Sequence, residues 1–210
     1  MAHDYKAGRK PRQFYKRAWN GVLLVSVVAM ASQASAGTKN GRFAIEGIGG
    51  APCRQFVAES KAKSTVFHRM VGYTEGYLTA SNVYEPNTFD LSPWHDTASL
   101  LIALDRHCQK NPNDLLATSI QKIAAALYPT RLSSESPRIT ITDGKQSMRV
   151  YVAVLQQAQN KLKARGLYGG PADGKYSPEV KAALMKYQQS AKLNPTGLPD
   201  PLTLWGLFKS

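Results

Sequence analysis

Apolar residues recur at helical spacing in several separate stretches of this chain. Val66, Met70, Tyr73 and Tyr77 fall three or four residues apart and predict one buried helix face. Residues 81–92, SNVYEPNTFDLS, break that rhythm and predict a loop. Ser92-Pro93 then reads as a helix start, a capping hydroxyl followed by a proline in the first turn. Leu101, Leu104 and Cys108 supply the buried face of that helix. Asn111-Pro112-Asn113 is expected to end it and to cap the next. Leu116, Ile120, Ile123 and Leu127 form one more stripe, closed by Tyr128-Pro129. Residues 53–128 are therefore expected to be a small domain of three or four helices.

Residues 129–147, PTRLSSESPRITITDGKQS, are rich in Ser, Pro and Gly and read as a linker, with a short strand over Arg138–Thr142. A second helical unit is expected over 148–210. Tyr151, Leu155, Ala158 and Leu162 share a face, and Gly166 supplies a left-handed helix stop. Two turns of like grammar follow. Gly174-Lys-Tyr-Ser177-Pro178 and Gly197-Leu-Pro-Asp200-Pro201 match position for position: a glycine turns the chain, Ser177 or Asp200 caps, and proline opens a helix. Val180, Ala183, Leu184 and Tyr187 face inward from the first of these helices, and Leu204, Leu207 and Phe208 from the second. Three short helices with two glycine corners can close on one core. The fold class is thus mostly α, in two helical parts.

Composition changes this picture at the N-terminus. The net charge is +13 over 210 residues, but Lys6, Arg9, Lys10, Arg12, Lys16 and Arg17 crowd the first twenty positions. They precede GVLLVSVVAMA, Gly21 to Ala31, an apolar run too short for a span of about 20 residues. Ala34-Ser35-Ala36 follows. That order predicts a secretory signal peptide over 1–36, cleaved after Ala36, with an uncleaved anchor as the alternative. Residues 37–52 hold five glycines and read as a flexible lead-in. The exported chain would carry about +8, which favours polyanionic surroundings such as wall polymers. Nucleic acid is not expected as a partner of an exported protein, nor an integral membrane segment once the signal is removed. The predicted location is the periplasm. An even count of two cysteines there predicts a Cys53–Cys108 disulfide, with two buried free thiols as the alternative.

From Val150 to Phe208 the chain resembles the peptidoglycan-binding domain family, a three-helix module of wall hydrolases and envelope proteins. The likeness rests on Gln159 and Leu162, then Gly166, Asp173, Gly174 and Tyr176, then Ala183, Leu184 and Gln188, then Leu193, Gly197, Thr203 and Leu207. Tyr187 stands where the family has Phe. The departures are Leu167-Tyr168 for Gly-Tyr, Ser177 for Gly, Val180 for Thr and Lys192 for Gly. The resemblance implies a C-terminal three-helix domain that binds peptidoglycan. Aromatic faces and hydrogen-bonding tips suit such a ligand, so Tyr168, Asp173, Tyr176 and Gln188 are candidates for its groove. The competing reading is that Asp173 only ties its turn and Tyr176 only packs. Lys175 and Lys181 would attract wall carboxylates, unless they are ordinary solvated lysines.

The Cys53–Leu127 region, with its Cys-Arg-Gln-Phe start and Gly72-Tyr73-x-x-Gly76-Tyr77-Leu78 run, looks similar to HdeA-like acid-stress chaperones and other single-disulfide helical envelope proteins. That outline implies a binding domain that engages an envelope protein partner. No catalytic residues are assigned. Glycan cleavage needs a positioned acid; Glu59 and Glu75 are available, but neither sits in a recognisable constellation. His68, His95 and His107 lie at no ligand spacing, so no metal and no cofactor is expected. The expected function is non-catalytic wall binding. A hydrolase with an unrecognised site and a protein-docking scaffold that has lost glycan binding are the alternatives.

Overall fold

The computed structural model describes residues 38, 40, 42–144 and 146–209. The expected signal peptide over 1–36 and its expected cleavage after Ala36 lie outside the described residues. Ala44–Ser210 packs as one unit.

Helix α1 spans Cys53–Ala62 and α2 spans Thr65–Tyr84. Lys63, in the left-handed region at φ 47°, turns the chain between them, and Ser64 caps α2 by accepting the Phe67 N–H at 3.0 Å. Helix α3 covers Thr97–Lys110 and α4 covers Leu116–Leu127. The Cys53–Cys108 disulfide joins α1 to α3. Around it Phe56, Met70, Leu104, Leu116 and Ile120 form the first core. The end of the expected lead-in takes regular form: Gly47–Gly50 is a 3-10 turn, and Gly49 is buried where a Cβ would collide with Tyr73 and Ile45.

Three boundaries differ from expectation. Helix α2 continues through Tyr84, so the loop begins later than residue 81. Helix α3 starts at Thr97, not at Ser92-Pro93. Asp96 accepts the Ser99 N–H at 2.7 Å while Ser99 Oγ takes the Asp96 N–H, a reciprocal capping box that outcompetes the lone serine. The residue ahead of α4 is Leu115, which offers no cap. The nearby Asp114 instead accepts from Lys122 Nζ at 2.7 Å and His107 Nε2 at 3.0 Å. Those two bonds hold its carboxyl below the usual range.

Part of the segment expected as a linker is also regular. Strand β1, Arg138–Asp143, pairs antiparallel with β2, Gln146–Tyr151, in the register Ile141↔Met148. The alternation of Ile139 and Ile141 with Thr140 and Thr142 is that of the short strand expected over Arg138–Thr142, which forms here as β1. Leu132, Ile141 and Val150 are buried with Trp94, and this apolar surface runs into the C-terminal core. Asp90 anchors the hairpin: it accepts from the Tyr151 hydroxyl at 2.9 Å and from Arg138 Nη2 at 3.3 Å.

Helix α5 is Val152–Ala164, α6 is Pro178–Ser190 and α7 is Pro201–Lys209. Leu155, Leu162, Leu184, Leu204 and Leu207 pack between them with almost no exposed surface. Gly166, at φ 67°, ends α5 as expected: its N–H donates to Lys163 O, and Leu167 N–H donates to Leu162 O.

Candidate functional site

The two corners of the C-terminal unit are built alike. Gly174 and Gly197 both have φ 73°. Each donates its amide N–H to a buried glutamine from the preceding helix: Gly174 to Gln159 Oε1 at 2.8 Å, Gly197 to Gln188 Oε1 at 2.7 Å. The amide nitrogen of each glutamine then bonds the residues on either side of its glycine. Gln159 Nε2 donates to Asp173 Oδ1 at 3.2 Å and Lys175 O at 3.0 Å; Gln188 Nε2 donates to Thr196 Oγ1 at 3.2 Å and Leu198 O at 3.0 Å. The helix starts repeat as well. Ser177 Oγ accepts the Val180 N–H at 3.3 Å, and Asp200 Oδ1 accepts the Thr203 N–H at 2.8 Å.

These bonds decide the place of each candidate. Gln188 has no exposed surface, and Thr203 Oγ1 accepts a further bond from its Nε2 at 2.9 Å. Its nomination to the groove is corrected: it is a buried clamp, because an interior amide must spend its polar atoms on the fold. Tyr168 is buried and donates its hydroxyl to Pro171 O at 3.0 Å. Asp173 is partly exposed. The Lys175 N–H and the Gln159 amide hold its carboxyl below the usual range. Tyr176 donates its hydroxyl to Gly197 O at 2.9 Å and so ties one corner to the other. Burial, with Asp143 nearby, pushes that phenol up to about 12, so it stays a donor.

Asp173 and Tyr176 do share a surface feature. A hollow of about 570 Å³ is lined by Ile139–Thr142 of β1, by Val152, and by Asp173, Gly174, Lys175 and Tyr176. Tyr168 and Gln188 do not reach it. In the described hairpin β1 pairs with β2 alone, so its other edge presents unpaired backbone donors and acceptors. Lys175 is 84% exposed beside it and makes a long ion pair with Asp173 at 3.9 Å, while Lys181 is engaged more closely by Asp143 at 2.8 Å. The part played by β1 was missed from sequence. The Ile-Thr alternation was its signal, but nothing local ties that strand to a turn some 30 residues away in the chain.

Glu59 accepts a hydrogen bond from Ser64 Oγ, and Glu75 accepts from Thr97 Oγ1 at 2.8 Å. Among the described residues no group of His, Cys, Asp or Glu converges as metal ligands would. No described helix is long and apolar enough to cross a membrane.

Residues 153–205 match the family model of the peptidoglycan binding domain. The C-terminal part of the chain therefore carries a peptidoglycan-binding domain, and its helices, corners and caps are those described above. The disulfide-linked helical region lies outside the matched residues. No curated protein and no solved structure matches the chain.

Proposed function

We propose that this is an exported, non-catalytic protein that holds peptidoglycan through its C-terminal domain and engages an envelope protein through its disulfide-linked helices. The observation that carries the wall-binding reading is the family match over residues 153–205. The hollow between β1 and the Asp173–Tyr176 corner is the groove that fits it best. An open strand edge suits an extended stem peptide, Tyr176 gives an aromatic wall, and the exposed Lys175 draws carboxylates. Export is supported by the basic and then apolar order of residues 1–36 and by the disulfide, which persists in oxidising compartments.

Sedimentation of the chain from residue 37 onward with purified sacculi tests this reading. The expected result is saturable pelleting, weakened by Lys175→Glu, without release of soluble muropeptides. Release abolished by Glu75→Gln or Glu59→Gln would establish a hydrolase instead. A protein left wholly in the supernatant at low salt would favour a docking scaffold.

A further inference from the structure

We infer that the cleft between α3 and α7 is the docking site for an amphipathic helix of a partner protein, one that carries acidic residues beside its apolar stripe. The inference deepens the envelope-partner reading above and rests on it: it names the surface and the chemistry of the segment that fits. The cleft measures about 220 Å³. Ser99, Ile102 and Arg106 line it from α3, and Leu202 and Trp205 from α7.

The apolar part of the argument is exposure. Ile102 is 54% exposed, Leu202 59% and Trp205 36%, and all three meet at this one cleft. Ser99, Ile102 and Arg106 follow one another at helical spacing, as do Leu202 and Trp205. Two such ridges leave a groove that a third helix fills with side chains of its own. The wall is held in place beforehand, since Trp205 packs on Trp94 with ring centroids 5.9 Å apart. A sugar ring fits less well, because Lys209 Nζ covers a face of Trp205, 3.4 Å from its centroid. Charge then selects the partner. The exposed Arg106 forms no ion pair among the described residues, and Lys209 stands beside it on the α7 side. No acid lines this cleft. The nearby acids face other spaces: Asp105 accepts from Gln109 Nε2 at 2.5 Å and lines the hollow towards α1, and the helix caps Asp96 and Asp200 line the hollow beside Trp94. A guanidinium with a free fork pairs well with a carboxylate at the edge of an apolar contact. The charge of about +8 on the exported chain acts in the same direction. A second copy of this chain does not fit, because a twofold contact would bring Arg106 and Lys209 from both copies into one cleft.

The test is an NMR titration of the chain from residue 37, labelled with ¹⁵N-tryptophan. Trp94 and Trp205 are the two tryptophans it contains. The probes are two synthetic amphipathic helices of about four turns with the same leucine stripe, one flanked by glutamates and one by lysines. Vesicles of phosphatidylglycerol are the third probe. The expected result is a saturable shift of the Trp205 indole N–H with the acidic helix and none with the basic one. Arg106→Glu, at an exposed position, should keep the parent melting temperature and bind the acidic helix at least about tenfold more weakly, as loss of one charge-assisted contact implies. No shift with the acidic helix, equal binding of both helices, or unchanged affinity in Arg106→Glu would overturn the proposal. A response to the vesicles as strong as that to the acidic helix would overturn it in favour of a membrane face. Dimerisation in sedimentation velocity that Leu202→Ser abolishes would overturn it in favour of a second copy. The envelope-partner reading is checked separately, with a benzoylphenylalanine crosslinker placed at Ile102 or at Tyr84, which is exposed on α2. An adduct from Ile102 is expected, on a segment whose sequence alternates apolar and acidic residues at helical spacing. A protein adduct from Tyr84 alone would remove this cleft and keep the partner reading, and no adduct from either would remove both.

Discussion

Gln159 and Gln188 hold equivalent places in the two corners of the C-terminal unit, each accepting the amide N–H of a left-handed glycine, at 2.8 and 2.7 Å. Both side chains are fully buried. The glycine needs the turn, the turn exposes an amide, and the glutamine satisfies it from the preceding helix. One device, used twice, shapes about sixty residues around one core without a second disulfide.

Removing a clamp should be expensive. Gln188→Leu keeps the volume but strands the Gly197 N–H and the acceptors around it. A loss of about 3 kcal/mol is expected in urea unfolding, from about 1–3 kcal/mol for each buried group left unsatisfied. Gln159→Leu should lose about 2 kcal/mol by the same reasoning, since its Nε2 serves fewer partners. A change under about 0.5 kcal/mol at either position, the level of an ordinary surface substitution, would contradict the clamp role.

The glycines should differ among themselves. Ala at 174 would adopt a left-handed backbone, and its Cβ would also meet Val152 O at 2.8 Å. Ala at 197 would meet Lys181 Cγ at 2.6 Å, the middle of a flexible side chain. Gly174→Ala should therefore cost more than Gly197→Ala, and each more than the roughly 1–2 kcal/mol of left-handed strain alone. Gly169→Ala, with open space around it, should fall within about 0.5 kcal/mol of the parent. Thermal melts of the three variants check the order.

The disulfide closes a long loop, Cys53 to Cys108, at a separation of 55 residues. Reduction or the double Cys→Ala variant should cost about 4 kcal/mol by the chain-entropy relation. The loss should be read in amide exchange over α1, α3 and α4. Equal loss of protection across α5–α7 would show that the whole unit unfolds as one.

His95 gives a pH dependence of defined sign. Its folded value, lowered to about 4 by burial, lies below the ordinary 6.5. Between these values the unfolded chain holds a proton that the folded chain does not. Stability from this group is fully present above about pH 6.5 and is lost as the pH falls towards 4. Urea midpoints measured across that window should decline more steeply in the parent than in His95→Gln. Parallel curves would contradict the assignment.

Much of this was readable from residues alone, where the chemistry is local. Ser177 and Asp200 cap the helices they precede, Gly166 stops α5, and Cys53 pairs with Cys108, all as composition and spacing imply. Competition and distance hid the rest. Ser92-Pro93 looked like a helix start, but the reciprocal Asp96–Ser99 pair a few residues on binds two amides instead of one. The contact of Trp94 with Phe208, 5.5 Å between ring centroids, joins residues more than a hundred positions apart and leaves no periodic trace. Gln188 was identified as a family position, yet a sequence cannot say whether an amide faces a ligand or its own backbone.

The wall-binding claim is tested most directly by ¹⁵N NMR of the chain from residue 37, titrated with soluble disaccharide-peptides from digested sacculi. Saturable shifts are predicted at the backbone amides of Thr140, Ile141 and Thr142 and of Gly174, Lys175 and Tyr176, where β1 faces the first corner. Amides there that stay unmoved while sacculi still pellet the protein would contradict that groove, and a protein that ignores both ligands would contradict the wall-binding account itself.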